Sequence, residues 1–237
     1  MLRGTASPAE LGRTAPGVTI EPGKTIALGN VKWVQFTYEV SGDKQALLPP
    51  NLAPTTPSIV TLQIWRASGG ELGDFGLAQA RVSCRAGVRI RTFLLQSVID
   101  GAAAATTLEN NFGYFGTPGR VVLHERSDKT TVEVISNDRC VAAGEISSLR
   151  FLEPSALQHI ENMHLVDTKE GLRLMQVEPS IVTNSLLRGP GKLTIFENSF
   201  WRLPGRELRK SVIGATANTE IVLSPVRYVQ EISEKAS

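Results

Sequence analysis

Cysteine and histidine are both scarce in this chain of 237 residues. Its two cysteines, Cys84 and Cys140, stand far apart and form no metal-ligand spacing, which argues against a zinc module or a disulfide framework. Each falls in a strand-like run, so both are expected to be buried free thiols. Of the three histidines, His159 and His164 are five apart and would leave a helix on different faces. A zinc pair needs both on one face and a third ligand, so no metal is expected there. His124 sits beside Glu125 on a strand-like run, where neighbours face opposite ways, and is read as a surface or pocket-rim residue. No GxSxG elbow or Cys–His nucleophile signature occurs. "EPGKT" at 21–25 resembles the end of a phosphate loop, but Val18 occupies the place of the required glycine.

A strong excess of either charge is also missing. Lysine and arginine number 25 against 23 acids, for a net charge of +2, which gives no sign of a nucleic-acid or membrane-surface partner. The densest basic cluster, "WRLPGRELRK" at 201–210, is broken by Pro204 and Gly205 and reads as a solvated edge. No apolar run approaches the roughly 18–20 residues of a membrane span. The opening residues lack a continuous apolar core, so they are not read as a secretory signal, and a cytoplasmic protein is expected.

What the sequence has in quantity is strand pattern. Residues 1–17, rich in Ala, Gly, Pro, Ser and Thr, read as a flexible arm with a short helix around Ala9–Leu11. Residues 18–237 read as one domain. "VTIEPGKTIAL" suggests a hairpin turning at Pro22–Gly23, and "VKWVQFTYEV" alternates well. Lys44–Leu48 reads as a short helix stopped by Pro49 and Pro50. Three strands, "SIVTLQIWRA", "FGLAQARVSCR" and "VRIRTFLLQSV", lead to "DGAAAATTLENN", a helix with Asp100 as its N-cap. A meander over 120–151, a helix or long loop at "EPSALQHIENM" and at least three more strands follow. The expected class is α+β: mostly antiparallel β with a few short helices.

"ENNFGYFGTPGR", residues 109–120, packs three aromatics and three glycines into a dozen positions. It resembles the wall of a small-molecule pocket, yet it holds no lysine, cysteine, serine or histidine. Either the stretch is a site without a nucleophile, or it is only a turn.

The order of motifs resembles the acetoacetate decarboxylase family. "LRGPGKLTIFENSFWRLPGREL" and "NTEIVLSPVRYVQEI" are similar to that family's "GP-x-(R/K)-L-x-L-F" strand, following loop and last strand. "YEVSGDKQALLPPNLAPTTPSIVTLQIW" is similar to its opening segment, and "LGDFGLAQARVSC" to its "E-x-G-x-A-I-P-V" strand. The likeness is collinear over about residues 30–232. It implies a single acetoacetate-decarboxylase-like β-barrel or sheet domain and a homo-oligomer.

In the family, a tyrosine–proline pair precedes the lysine that forms an imine with the substrate. Here "GYFG" stands in that place, with Phe115 at the proline and Gly116 at the lysine. A shift of one would put Phe115 or Thr117 at the lysine, and neither can form an imine. Lys32, Lys44 or Lys129 could enter from elsewhere. The family's two pocket carboxylates fall at Gln63 and Asp74, and its arginine at or near Glu39. The resemblance therefore implies a pocket with Asp74, Tyr114 and Gln63 as catalytic groups. Phe112, Gly116, Trp65 and Phe93 or Leu95 would be its walls, with Glu109 and Arg120 at the mouth. A desolvated Asp74 would act as acid and base, Tyr114 would donate to an enolate oxygen, and Gln63 would orient a carbonyl.

The expected function is a lyase-type enzyme, of the decarboxylase, dehydratase, aldolase or cyclase kind. It would act on a small enolisable keto compound by non-covalent acid–base chemistry, with no cofactor. Alternatives are a non-catalytic small-molecule-binding relative of the same fold, or a structural domain whose aromatics are core.

Overall fold

Trp33, Gln35 and Thr37 alternate along the chain with Val34, Phe36 and Tyr38, a period of two that gives a strand two distinct faces. Both faces are covered in the fold. The computed structural model describes residues 2–19, 24–226 and 228–232. The hairpin expected at Pro22–Gly23 lies outside the described residues.

In chain order the strands are β1 (Ile26–Val40), β2 (Ala53–Pro54), β3 (Ile59–Gly69), β4 (Phe75–Ala86), β5 (Arg89–Asp100), β6 (Thr117–Pro118), β7 (Arg120–Glu125) and β8 (Lys129–Ser136). They continue with β9 (Arg139–Ser147), β10 (Arg150–Leu152), β11 (Asn162–Thr168), β12 (Gly171–Val177), β13 (Pro179–Gly189), β14 (Gly191–Phe196), β15 (Leu208–Leu223) and β16 (Tyr228–Glu231). The α-helices are α1 (Pro8–Gly12) and α2 (Ala102–Phe112). Among the described residues the strands form a 12-stranded sheet in the order β10-β13-β15-β1-β3-β4-β5-β11-β12-β16, with β2 on β4 and β6 on β5. A second sheet has the order β14-β9-β8-β7. Between named strands the pairings are antiparallel except β5–β11 and β5–β6, which are parallel. The fold is α+β and mostly antiparallel, as the strand pattern predicts.

The two faces of β1, β3 and β4 bury different things. Val34, Phe36, Ile64 and Ala78 pack against Val121, Val132 and Trp201 on the side of the smaller sheet. Trp33, Trp65 and Leu77 pack against Leu108 and Phe112 of α2 and Val166 and Met175 of β11 and β12. Each fully buried side chain of this size contributes about 1.5–3 kcal/mol. A polar residue on the second face is therefore committed to the interior.

Three expectations change, and one open alternative, helix or long loop at "EPSALQHIENM", falls to the loop. Asp100 does not cap α2; Gly101 holds the cap position without a side-chain bond. The Asp100 carboxylate instead accepts from Arg66 at 2.7 Å and from the Val121 amide at 3.2 Å, joining the two sheets. "EPSALQHIENM" contains only a 3-10 turn at Pro154–Ala156 before β11 begins. Cys84 is fully buried but Cys140 is partly exposed, because the small sheet has one face open; both are free thiols. The segment read as a flexible arm is tied to the domain by backbone bonds, Gly4 N to Leu52 O at 2.7 Å and Asp167 N to Pro16 O at 2.8 Å.

Candidate functional site

The face that carries Trp33 and Trp65 changes character two residues further along. Antiparallel register sets Gln35 opposite Gln63, Gln63 opposite Gln79, and Gln79 opposite Ser97, a polar rung across β1, β3, β4 and β5. The next rung is Thr37, Thr61 and Arg81, with Leu94 closing it. Gln63, Gln79, Arg81 and Ser97 are all buried. Their partners fall short of their capacity. The Gln63 amide donates to Gln35 Oε1 at 3.5 Å, while Gln63 Oε1 and Gln79 Nε2 are buried with no hydrogen-bond partner. Buried polar atoms of this kind are uncommon, and each has capacity for a further hydrogen bond.

Arg81 dominates the band. Its Nε donates to Gln79 Oε1 at 3.2 Å, and Nη2 reaches the same oxygen. Among the described residues no carboxylate pairs with it. Burial of the cation pushes its pKa down to about 10, with Tyr114 nearby acting in the opposite sense. Tyr114 is pushed up to about 12 by its own burial, partly offset by the Arg81 charge.

How Tyr114 reaches this place follows from two glycines. α2 ends at Gly113, which sits at φ 63, in the left-handed region, and returns its amide to Glu109 O at 3.0 Å. That turn swings Tyr114 under the sheet, where it meets Trp65 edge to face at 6.4 Å between centroids. His164 of β11 lies on its other side at 5.2 Å. Two residues on, Gly116 lies flat against β5: a Cβ there would be 2.9 Å from Ile99 Cγ1 and 3.0 Å from Ser97 O. A side chain at 116, lysine included, would run into β5. Gly116→Ala is accordingly expected to lower stability by about 1–3 kcal/mol in urea unfolding. An unchanged midpoint would mean that the stretch can shift, and would reopen position 116 to a longer side chain.

Two imidazoles complete the arrangement. His164 Nε2 donates to Phe112 O at 2.7 Å, which leaves Nδ1 as a bare lone pair with no partner. Burial pushes its pKa down to about 4; the Phe112 carbonyl resists the shift and the Arg81 charge adds to it. His159 comes from the loop before β11. Part of the residue is exposed, but both ring nitrogens are buried and unpartnered. Burial first, then the Arg81 charge, lowers its pKa to about 3.

Of the residues expected to form the site, Gln63, Trp65, Phe112, Tyr114 and Gly116 come together. Phe112 is core, and its carbonyl rather than its ring touches a polar group. Asp74 does not join them. It is exposed in the turn before β4, where its Oδ1 accepts from the Gly69 amide at 3.3 Å; the residue opposite Gln63 is Gln79. Arg120 is exposed on β7, in the smaller sheet. Glu109 is half-buried, off the Ala104–Leu108–Phe112 stripe of α2 that faces the core. Phe93 belongs to a different apolar cluster, with Val82 and Leu165.

The lysines that could have substituted lie elsewhere. Lys32 pairs with Glu125 at 2.6 Å on the opposite face of β1, Lys44 donates to Thr55 O at 3.0 Å, and Lys129 pairs with Glu145 at 3.5 Å. Sequence reading missed Gln79 and Arg81. The signal was present: two polar residues at i and i+2 among Ala78, Ala80 and Val82 share one face of a buried strand.

The architecture is that of acetoacetate decarboxylase and its relatives. The structure of acetoacetate decarboxylase from Legionella pneumophila superposes with a TM-score of 0.74 at 17% identity, over 90% of each chain. The enduracididine biosynthesis enzyme MppR, solved with pyruvate, gives a TM-score of 0.72 at 16% identity, over 90% of this chain and 92% of that one. An acetoacetate decarboxylase-like enzyme from Sphingomonas wittichii RW1 gives 0.65 at 12% identity, over 86% and 94%. No protein-family model and no curated protein matches the chain. The chain thus shares the acetoacetate decarboxylase-like fold, at identities too low to carry activity with it. No helix among the described residues is long and apolar enough to cross a membrane.

Proposed function

We propose that this protein is a lyase-type enzyme acting on a small enolisable keto acid, by acid–base chemistry and without a lysine imine. The observation that carries the reading is Arg81: a buried cation with no described carboxylate partner, surrounded by polar atoms that lack partners. A buried charge costs several kcal/mol unless it is paired, so a site that keeps one suits an anionic ligand. Developing negative charge on a carbonyl oxygen fits the same place. Arg81 and the Tyr114 hydroxyl would hold that oxygen as an enolate, and the free Gln79 Nε2 would donate beside it.

The base assigned in sequence to Asp74 passes to an imidazole. His164 Nδ1 or His159 takes the proton α to the carbonyl, and the electron pair of that C–H bond becomes the enolate. Loss of a leaving group, or return of the proton, then closes the step. Both imidazoles are poor bases while Arg81 is unpaired. A bound anion offsets the part of their lowered pKa that comes from Arg81 and moves them towards the range where proton transfer is efficient.

The test is incubation with a panel of β-keto acids and aromatic keto acids, with borohydride added and intact mass recorded. Product without an adduct is the expected outcome, and a trapped adduct would sink the non-imine mechanism. Binding without product across the panel would instead favour a non-catalytic relative. In the same assay Tyr114→Phe is expected to lower kcat by about 10²-fold, the loss typical of one oxyanion donor, with little change in KM. An unchanged kcat would remove Tyr114 from the chemistry.

A further inference from the structure

Basic residues 201–210 read as a solvated edge in sequence, but two of them, Arg202 and Arg206, fold back over a cavity beside the Arg81 band. The β4–β5 register slips between Ala80 and Arg81, so Ala80 faces Gln96 while Arg81 faces Leu94. Leu95 is the extra residue of a bulge. Phe93, Leu94 and Leu95 all line a cavity of about 300 Å³, together with Leu47, Leu165 and Phe115. That volume is at the small end of the roughly 300–1,000 Å³ typical of small-molecule sites. Leu94 and Phe115 also belong to the core cluster that holds Tyr114, and Leu94 stands opposite Arg81 in the β4–β5 register, so this cavity lies next to the Arg81 band.

Arg202 and Arg206 stand on the wall of this otherwise apolar space. Arg206 spends its guanidinium on backbone carbonyls, those of Asp43 at 2.6 and 3.0 Å and of Pro204 at 2.9 Å. Arg202 is less occupied. One nitrogen donates to Thr14 Oγ1 at 2.8 Å, and its charge lies over the Phe115 ring at 5.2 Å. Neither arginine meets a carboxylate among the described residues. Arg202 also has a backbone φ of 59, the left-handed region that a residue with a side chain occupies only at some cost. The turn that holds it there returns Arg202 N to Ser199 O at 3.3 Å and Leu203 N to Asn198 O at 2.7 Å. Such strain is kept where a side chain must be aimed.

We propose that this cavity is a second binding site, for an amphipathic monocarboxylate whose apolar chain lies among Phe93, Leu95 and Leu165 and whose carboxylate pairs with Arg202. Charge complementarity selects an anion over a neutral amphiphile, since the walls hold two cations and no described acid. The proposal does not depend on the chemistry assigned to Arg81.

Isothermal titration with octanoate and with octanamide, its neutral analogue of equal length, tests it. Octanoate is expected to bind saturably and about 10-fold or more tighter than octanamide, the difference a charged hydrogen bond makes. Arg202→Gln should bring the two within about 3-fold of each other. Ala46→Trp, which adds a ring at the exposed rim, should weaken both by about 10-fold or more. Arg81→Met should leave octanoate binding unchanged, which keeps this outcome separate from that of the keto-acid site. Equal affinity for acid and amide, no saturable binding, or octanoate binding that ignores both Arg202→Gln and Ala46→Trp would each overturn the proposal.

Discussion

Arg81→Met is expected to lower kcat/KM on the productive keto acid by about 10²–10³-fold while leaving the protein at least as stable as the parent. The first part follows from the role given to the cation, since removing a preorganised group that faces an oxyanion costs this much. The second follows from burial. Holding the Arg81 pKa at about 10 rather than its ordinary value means that folding opposes the charge by about 3 kcal/mol at neutral pH. Methionine removes that cost and fills a similar volume. Against it stands the loss of the bonds to Gln79 Oε1, which leaves that oxygen unpartnered at a cost of about 1–3 kcal/mol. The balance lies between no change and a gain of about 2 kcal/mol. Urea midpoints and turnover, measured on one preparation, would show the two effects parting. A variant that loses activity and several kcal/mol together would mark Arg81 as structural, and the functional reading would fall with it. Proton resonances of the rings give an independent check: without the cation, His159 and His164 should both titrate at higher pH than in the parent.

Strand alternation alone places Gln63 and Trp65 on one buried face, and an alanine-rich run ending in glycine marks α2 and its stop. Those parts of the site were legible because they depend on neighbours in the chain. What stands opposite Gln63 depends on register between strands, which no local pattern states. Matching motifs by collinearity selected Asp74, five residues before the true partner Gln79, because the turn "GGELG" lets β4 start anywhere within a few positions. Arg81 was overlooked for a different reason. Arginine is so rarely buried without a partner that composition assigns it to the surface by default. The same default misread Arg202 and Arg206, whose segment is interrupted by Pro204 and Gly205 in the way that surface loops are. His164 was weighed as a helical metal ligand because "QHIENMH" does not look like a strand. β11 forms there because Asn162 and Met163 find parallel partners in Thr92 and Phe93, a contact some 70 residues away.

Stability is expected to fall as pH drops from about 6.5 towards 4, earlier than carboxylate protonation alone would cause. The sign is fixed by the direction of the shift. An unfolded histidine takes up a proton near its ordinary value of 6.5, whereas native His164 resists until about 4. Above pH 6.5 both states are neutral and the group is silent. Between 6.5 and 4 only the unfolded chain binds the proton, so each unit of pH shifts the equilibrium towards it. His164 alone should remove about 2 kcal/mol by pH 5, and about 3 kcal/mol by pH 4. His159 acts in the same direction over a window reaching about 3, with a smaller effect because part of the residue is exposed. Most carboxylates are still ionised at pH 5, so urea midpoints at pH 7, 6 and 5 isolate the imidazoles. His164→Gln keeps a donor for the Phe112 carbonyl and cannot titrate, so it should flatten most of the slope while costing little at pH 7. A parent curve already flat between pH 7 and 5 would mean that both rings are hydrated. In that case neither imidazole is held neutral by its surroundings, and the base of the proposed reaction would have to be sought elsewhere.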